Sequence, residues 1–255
     1  MLFSGRWYFF MHELYVDSVC KSFGTNQVLN DIFISCKPGE IIGLFGRNGC
    51  GKTTLLKIIF GSLRAENKFI RVNGRIVQTL RENNNKIAYL PQKNFLPSHL
   101  QIKKIVDLFC KPPQANSLKN NPHVKPFLHR KSNELSGGER RMIELLLILN
   151  SSAQYILIDE PFNGVEPLYK EEIKNNIQKH SQYKGFIITD HDYLSIVAIA
   201  TKVMLLQDGS IKETKTGDEL IKVNYLGGAW RLKERDYNIT FLATPWVHYK
   251  ESKLP

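Results

Sequence analysis

The sequence lacks the features of a membrane-spanning, secreted or disulfide-bonded protein. Its four cysteines form no C-x-x-C pair and no histidines cluster near them, so neither a zinc site nor a disulfide framework is predicted, and a reducing cytosol fits best. No apolar run approaches the roughly 18 residues needed to cross a bilayer. The first ten residues have neither the long apolar run nor the small-residue cleavage site of a signal peptide. If the protein works at a membrane, we expect other subunits to cross it.

The charge is unbalanced, with 35 Lys and Arg against 24 Asp and Glu and a formal net charge of +11. Such an excess is either a solvated basic surface or a surface for anionic partners, namely nucleotide, an acidic membrane or nucleic acid. The aromatic-basic pattern of RNA-binding domains is missing, so no nucleic-acid partner is expected. Hydrophobic residues make up 42% of the chain, which is enough for a buried core.

Short apolar runs followed by Gly-rich or acidic turns and helical stretches predict an α/β fold. Such near-continuous apolar runs are typical of strands buried on both faces, and therefore of a parallel sheet between helices. The runs are Ile41–Phe45, Tyr155–Ile158, Phe186–Thr189 and Val203–Leu206. Gln207–Ser210 predicts a hairpin turn, and Thr53–Phe60 and Glu139–Leu149 predict helices. The stretch Lys111–Pro126 carries four prolines and is predicted to be a loop within an inserted lobe.

A phosphate-binding loop follows the first of these runs. The segment Gly46–Thr53 matches G-x-x-x-x-G-K-[ST] between a predicted strand and a predicted helix, whereas a random chain of this length contains the pattern only about 1% of the time. Glycines let successive backbone N–H groups point at one anion, and the helix N-terminus adds positive potential there. Lys52 is predicted to reach the β and γ phosphates, and the Thr53 hydroxyl to coordinate Mg²⁺. The predicted nucleotide-binding residues of the loop are Gly46, Arg47, Asn48, Gly49, Cys50, Gly51, Lys52, Thr53 and Thr54.

Two further segments narrow the chemistry. Leu135–Glu139 (Leu-Ser-Gly-Gly-Glu) precedes an apolar helix, and it is either a simple capping box between Ser136 and Glu139 or a second anion site at a helix N-terminus. The strand at Tyr155 ends in Asp159 and Glu160, which suit a Mg²⁺ ligand and a base for the attacking water. His191 also ends a strand, and alone it would be assigned a structural role.

The order of these segments resembles the ATP-binding-cassette family over about residues 14–220. The resemblance implies that Asp159, Thr53 and Gln92 serve Mg²⁺, that Glu160 is the catalytic glutamate and that His191 is the switch histidine. It further implies that Phe23 stacks on adenine, although an ordinary core phenylalanine is the alternative. The signature residues, which would contact ATP bound to the opposite subunit, are Leu135, Ser136, Gly137, Gly138 and Glu139.

The family's fold is a P-loop NTPase (RecA-like) mixed sheet flanked by helices, with an N-terminal antiparallel β portion and a small helical subdomain. The implied division is an ATP-binding core at 11–91 and 136–222, a short helical subdomain at 92–135 and a C-terminal tail of unassigned role at 223–255. The stretch 219–227 is faintly similar to the end of cassettes for branched-chain amino-acid import or lipopolysaccharide export.

The implied function is ATP hydrolysis with Mg²⁺ by a transporter subunit that dimerises with a second cassette subunit around two ATP molecules. Separate transmembrane permease subunits would be the partners, and the location would be cytoplasmic, peripheral on the inner face of the membrane. Candidate contacts for that partner follow Gln92 and are Phe95, Leu96, His99 and Leu100. The alternatives are a soluble cassette in an assembly process such as iron–sulfur cluster biogenesis, and a non-hydrolysing nucleotide switch.

The sequence departs from the family pattern at several positions. Glu166 stands where the D-loop usually has Asp, which leaves the geometry across the dimer open, and Glu139 stands where Gln is more frequent. The segment between Gln92 and Ser136 is short for the helical subdomain. Cys50 is either a small space-filling residue or a reactive thiol whose pKa is lowered by the loop's N–H groups and the helix dipole.

Overall fold

The computed structural model describes residues 12–214; the predictions for residues 1–11 and for the C-terminal stretch from 215 onwards lie outside this range. The strands are β1 (Leu14–Phe23), β2 (Asn26–Cys36), β3 (Ile41–Phe45), β4 (Asn67–Val72), β5 (Arg75–Ile76), β6 (Ile87–Leu90), β7 (Tyr155–Asp159), β8 (Gly185–Thr189), β9 (Lys202–Gln207) and β10 (Ser210–Thr214). The α-helices are α1 (Lys52–Phe60), α2 (Leu80–Asn83), α3 (Ile102–Phe109), α4 (Gln114–Lys119), α5 (Gly137–Leu149), α6 (Pro167–Ser181) and α7 (Tyr193–Val197).

The first sheet is antiparallel, with the strand order β2-β1-β4-β5. Buried residues alternate with more exposed ones along β1, so that Leu14 and Val16 face the core. Val16 lies opposite Ile34 on one side and Ile70 on the other, and both partners are fully buried. This alternation over three strands forms the predicted N-terminal antiparallel portion.

The second sheet has the strand order β10-β9-β3-β8-β7-β6 and is parallel except for its edge pair β9–β10. Every residue of β3, β7 and β8 is buried, as predicted for strands covered on both faces. The predicted hairpin turn is also present, and its central residues Asp208 and Gly209 both have positive φ, as a type I′ turn requires.

The helical predictions are close to the observed elements. Helix α1 begins one residue before the predicted start, and α5 begins two residues before it, directly after Ser136. The loop prediction for Lys111–Pro126 is wrong in its middle, because α4 forms in the proline-free interval there. Ala115 and Leu118 are buried on one side of α4, and this burial stabilises a short helix that local sequence alone does not favour.

Helices α3 and α4 and two short 3₁₀ turns fall within residues 92–135. The division of the chain at the ends of this segment stays a prediction. Among the helices of residues 12–214, none is both long enough and apolar enough to cross a membrane.

Lys184 is a buried cation at the start of β8. Its ammonium donates to the carbonyl oxygens of Ser151 (2.8 Å) and Ala153 (2.5 Å), and so connects β8 to the loop that enters β7. Burial lowers the pKa of Lys184 from its ordinary value of 10.5 to about 8. A neutral amine still has two N–H donors for these two carbonyls, so deprotonation leaves the contacts in place.

This burial predicts a pH-dependent stability. Between pH 8 and 10.5 the unfolded chain holds a proton at Lys184 that the folded chain has lost, so this group makes the free energy of unfolding rise with pH in that window. Chemical denaturation at several pH values should show a rise for wild type relative to Lys184→Met. Lys179→Met is the control, because the Lys179 side chain is exposed. Identical trends for the two variants would contradict the prediction.

Candidate active site

Four strand ends meet at one edge of the parallel sheet. β3 leads into the phosphate loop, β6 into Pro91 and Gln92, β7 into Glu160, and β8 into Asp190 and His191. Ligand sites of open α/β sheets lie at the carboxyl ends of the strands. A cavity of about 330 Å³ opens there, lined by Asn48, Gly49, Gly51, Lys52, Thr53, Thr54, Gln92, Glu160 and His191.

The phosphate loop wraps around the Lys52 side chain. The Lys52 ammonium donates to the carbonyl oxygens of Gly46 (2.5 Å) and Arg47 (3.1 Å), and the residue is 7% exposed. Gly51 has φ 111°, and a Cβ on it would lie 2.7 Å from a methyl group of Val28. Glycine at position 51 is therefore required both by the backbone conformation and by the packing of the loop on β2.

Asp159 is a buried carboxylate, 1% exposed, at the end of β7. Its Oδ1 accepts a hydrogen bond from the Thr189 hydroxyl (2.7 Å) and its Oδ2 accepts one from the Tyr89 hydroxyl (3.0 Å). Burial and the neighbouring Asp159 charge raise the pKa of Tyr89, so its proton stays in place as a donor. Two hydroxyls from β6 and β8 thus fix the orientation of a carboxylate held on β7.

Glu160 has a left-handed backbone conformation, with φ 51°. Its N–H donates to the carbonyl oxygen of Thr189 at 2.7 Å, which holds the turn against β8. Non-glycine residues in this region cost on the order of 1 kcal/mol or more, and they cluster at functional sites. The turn directs the Glu160 side chain into the cavity.

Three side chains converge on the Glu160 carboxylate. Gln92 Nε2 and Asn163 Nδ2 donate to Oε2 at 2.6 and 3.1 Å, and His191 Nε2 lies 2.9 Å from Oε1. The structure therefore brings together Gln92, Glu160 and His191, which come from three different strand ends. Asn163 was not identified from the sequence, because nothing in a turn residue three positions after Glu160 indicates which way its amide points.

The segment 135–139 forms a capping box. The Glu139 N–H donates to the Ser136 hydroxyl (3.2 Å), and the Ser136 N–H donates to the Glu139 carboxylate (2.7 Å). Ser136 and Gly137 are exposed, and Gly138 packs against the Tyr169 ring so closely that a Cβ would lie 2.9 Å from it. Among the described residues, those that line the cavity include none from this segment, so its anion-binding role stays a prediction.

Phe23, at the end of β1, is 51% exposed, with the Lys21 ammonium 5.1 Å from its ring centroid. The interpretation as an ordinary core phenylalanine is therefore wrong, while stacking on adenine stays a prediction.

Of the two alternatives for Cys50, burial contradicts the reactive thiol with a lowered pKa. Burial raises the Cys50 pKa, and this effect outweighs the lowering by Lys52 and by backbone N–H groups. The Cys50 sulfur lies where a Cβ on Gly46 would come within 2.5 Å of it, so the thiol packs against the loop it belongs to. This packing fits the space-filling alternative.

Comparison with known proteins places the chain in a family. The family model described as "ABC transporter" matches residues 29–163. The chain is 30% identical over 241 residues to the lipopolysaccharide export system ATP-binding protein LptB of Haemophilus influenzae, covering 87% of this chain and 100% of that protein. It is 25% identical over 219 residues to a probable sulfate/thiosulfate import ATP-binding protein CysA of Chlorella vulgaris, covering 82% and 93%.

Solved structures show the same fold. The ATP-binding subunit of an ABC transporter superposes with a TM-score of 0.73 at 21% identity, covering 85% of this chain and 95% of that one. A nucleotide-free ATP-binding cassette superposes with a TM-score of 0.71 at 20% identity, covering 84% and 96%.

The fold, the phosphate loop and the family match together define the class: the chain belongs to the ATP-binding cassettes of ABC transporters. Within that class it is an ATP-binding subunit, an ATPase coupled to transport, and it is similar to LptB.

The three contacts on Glu160 generate a test of its role. Glu160→Gln keeps the side-chain length and its acceptor for Gln92 but removes the basic oxygen, so ATP binding should persist while hydrolysis falls by about 10²–10⁴-fold. Nucleotide binding by fluorescence and phosphate release measure the two quantities.

Glu171→Gln is the matched control, because the Glu171 side chain is 65% exposed on α6. A Glu160→Gln protein with wild-type turnover would exclude Glu160 as the base.

Proposed function

We propose that two cassettes close around two Mg-ATP molecules, each held by Lys52 of one copy and the Ser136 helix start of its partner. The observation that carries the proposal is the placement of the two anion-binding features. Lys52 lines the cavity, whereas exposed Ser136 and Gly137 at the start of α5 do not. A helix N-terminus favours an anion. If the Ser136 helix start of a second copy faces the Lys52 loop of the first, one triphosphate can contact both anion-binding features.

Magnesium fits the oxygen donors at this edge. Thr53 and Gln92 line the cavity, and Asp159 is a fixed carboxylate at the end of β7. Within residues 12–214 no group of three or more His, Cys, Asp or Glu is arranged to hold a metal. A site with few protein ligands is typical of Mg²⁺, because this ion keeps several waters and takes phosphate oxygens of the nucleotide as further ligands. Thr53, Asp159 and Gln92 would hold the ion, which supplies charge neutralisation of the phosphates when bound.

The residues of the cavity have different roles in ATP hydrolysis. Lys52 neutralises charge on the phosphates, and Glu160 accepts the proton of a water as that water attacks the γ-phosphorus. The bond from the γ-phosphorus to the bridging oxygen breaks, and ADP leaves with that electron pair. Gln92 contacts one oxygen of the Glu160 carboxylate and His191 contacts the other, and these two contacts orient the carboxylate. Phe23 offers an exposed ring for the adenine base.

The transmembrane partner is proposed to dock on the surface that follows Gln92. The Phe95 and Phe109 rings are in contact, with centroids 5.6 Å apart and ring planes tilted by 52°, and Leu108 and Phe109 are 65% and 45% exposed. Leu96, one of the candidate contacts from the sequence, is only 8% exposed. It therefore packs beneath this surface and is not available for direct contact with a partner. This apolar surface follows Gln92, whose side chain contacts Glu160. Movement of a partner bound there can therefore be transmitted to the turn that carries Glu160. Such docking would place the protein on the cytoplasmic face of a membrane.

The relatives reported above are named for lipopolysaccharide export and sulfate/thiosulfate import. Their names favour transport over the assembly-factor alternative. Because cassettes with different cargoes are similar to this chain, we infer that the transmembrane partner and not this site selects the cargo.

The dimer is tested with the turnover-deficient protein. Glu160→Gln at saturating Mg-ATP should shift from monomer to dimer in light scattering, and addition of Ser136→Glu should abolish the shift because a carboxylate repels the neighbour's phosphates. EDTA should also reverse it. If the protein stays monomeric and no second cassette co-purifies from native membranes, the proposal is wrong.

The docking surface has a separate test. Leu108→Lys should reduce co-purification of a membrane-embedded partner by about tenfold or more, since it places a charge in an apolar contact. The ATPase rate of the isolated protein should remain within about twofold of wild type, because such surface substitutions leave the fold intact. Lys104→Glu on the same helix is the control, because Lys104 is exposed and outside the aromatic contact. Equal recovery of the partner with Leu108→Lys and wild type would exclude this surface.

A further inference from the structure

Arg141 is a buried arginine on the second turn of α5, and it is 5% exposed. Its guanidinium donates to the carbonyl oxygens of Asp159 (2.9 Å) and Glu160 (3.2 Å), the two residues of the catalytic turn. It also donates to the carbonyl oxygen of Pro91 at 2.7 Å, the residue before Gln92. One side chain therefore holds the backbone of Glu160 and of Pro91, the residue before Gln92. The side chains of Gln92 and Glu160 meet at 2.6 Å in the cavity.

Glu144 completes the arrangement one turn further along α5, and it is fully buried. Its Oε2 lies 3.3 Å from the Arg141 guanidinium, and its Oε1 accepts a hydrogen bond from the Phe95 N–H at 2.9 Å. The segment that contains Gln92 is thus held at Pro91 by Arg141 and at Phe95 by Glu144. Both anchors belong to α5, the helix that Ser136 caps.

Stability alone gives a poor account of this pair. Burial lowers the pKa of Arg141 and raises the pKa of Glu144, which reflects the cost of removing both charges from water. Replacing a buried ion pair by apolar residues of similar volume is often neutral or stabilising. The neighbours of the pair on α5, from Met142 to Leu149, are otherwise apolar and buried, so the helix would pack well without it.

We infer that Arg141 and Glu144 are a positioning pair, which sets Gln92 and Glu160 relative to the signature helix α5. The inference rests on the proposed function, because only contact of the Ser136 segment with a neighbour's ATP makes this alignment matter for turnover. A helix rises about 1.5 Å per residue, so Arg141 lies only about 7.5 Å along the axis from Ser136. A shift of the helix start therefore moves the anchors of the catalytic turn and of the Gln92 segment with it.

The first test compares two adjacent arginines. Arg141→Lys keeps the charge but cannot reach three carbonyl oxygens in different directions, so kcat should fall by about 10²-fold, the size expected when a catalytic group is misplaced by about 1 Å. The KM for ATP should stay within about twofold, because the phosphate loop is untouched. Arg140→Lys is the control, since the Arg140 Nε donates to the carbonyl oxygen of Ser132, away from the catalytic turn.

Hydrogen exchange locates the effect. Arg141→Lys should speed amide exchange in the segments 91–96 and 159–163 and leave α1 unchanged, whereas general destabilisation would speed exchange throughout. Wild-type kcat in Arg141→Lys would overturn the inference.

The second test separates stability from positioning. Arg141→Met alone should lower both Tm and kcat, because it leaves Glu144 buried without its cation. Arg141→Met combined with Glu144→Met should recover part of the lost Tm, because no unpaired charge is left buried, but the backbone groups that the pair bonded lose their partners. The kcat of this double variant should stay at least about tenfold low. Recovery of kcat together with Tm in the double variant would show a merely structural role and overturn the inference. A wild-type protein that never dimerises with Mg-ATP refutes the proposed function instead, whatever these variants show.

Discussion

The parallel pairing of β3 with β8, and of β8 with β7 and β6, is the constraint on which the site depends. In that arrangement the four strands end at the same edge of the sheet. The phosphate loop, Gln92, Glu160 and His191, which follow these strands, therefore lie next to one another. Complete burial of β3, β7 and β8 means that their apolar side chains pack on both faces of the sheet and hold the strands in place. The chemistry at the edge therefore inherits its geometry from apolar packing within the sheet.

The edge itself concentrates polar groups that the core would otherwise exclude. Asp159, Asp190, Arg141 and Glu144 are all buried near it, and each is hydrogen-bonded. Asp190 accepts from the N–H groups of Phe162 and Asp192, which ties the turn after Glu160 to the turn that carries His191. Burial raises the Asp190 pKa by more than these two N–H groups lower it, so the pKa of Asp190 lies above its ordinary value. Such satisfied networks rigidify a site because each unsatisfied member would be costly.

Local sequence predicted the parts of the site that obey local rules. The phosphate loop has a fixed spacing between a strand and a helix, and apolar runs ending in acids identify strand ends, so Lys52, Asp159 and Glu160 could be found from the chain alone. Residues that act through long-range contacts could not. Tyr89 and Thr189 reach Asp159 from two other strands, and Arg141 reads simply as a charge in an apolar helix.

The loop prediction at α4 and the lowered-pKa alternative for Cys50 fail for the same physical reason. The Cys50 thiol pKa depends on how deeply the sulfur is buried, and α4 depends on what Ala115 and Leu118 pack against. Both quantities are properties of the tertiary structure, so motif and composition could not supply them.

The capping box at Ser136 has a consequence for what this helix start can recognise. The hydroxyl oxygen already accepts the Glu139 N–H, and the Glu139 carboxylate is occupied by the Ser136 N–H. A hydroxyl used as an acceptor still has its own proton to donate. The helix start therefore keeps the Ser136 hydroxyl proton as a donor, while the Ser136 oxygen and N–H are held within the capping box. Because this arrangement is already formed, a group that binds there would require little further ordering of the chain.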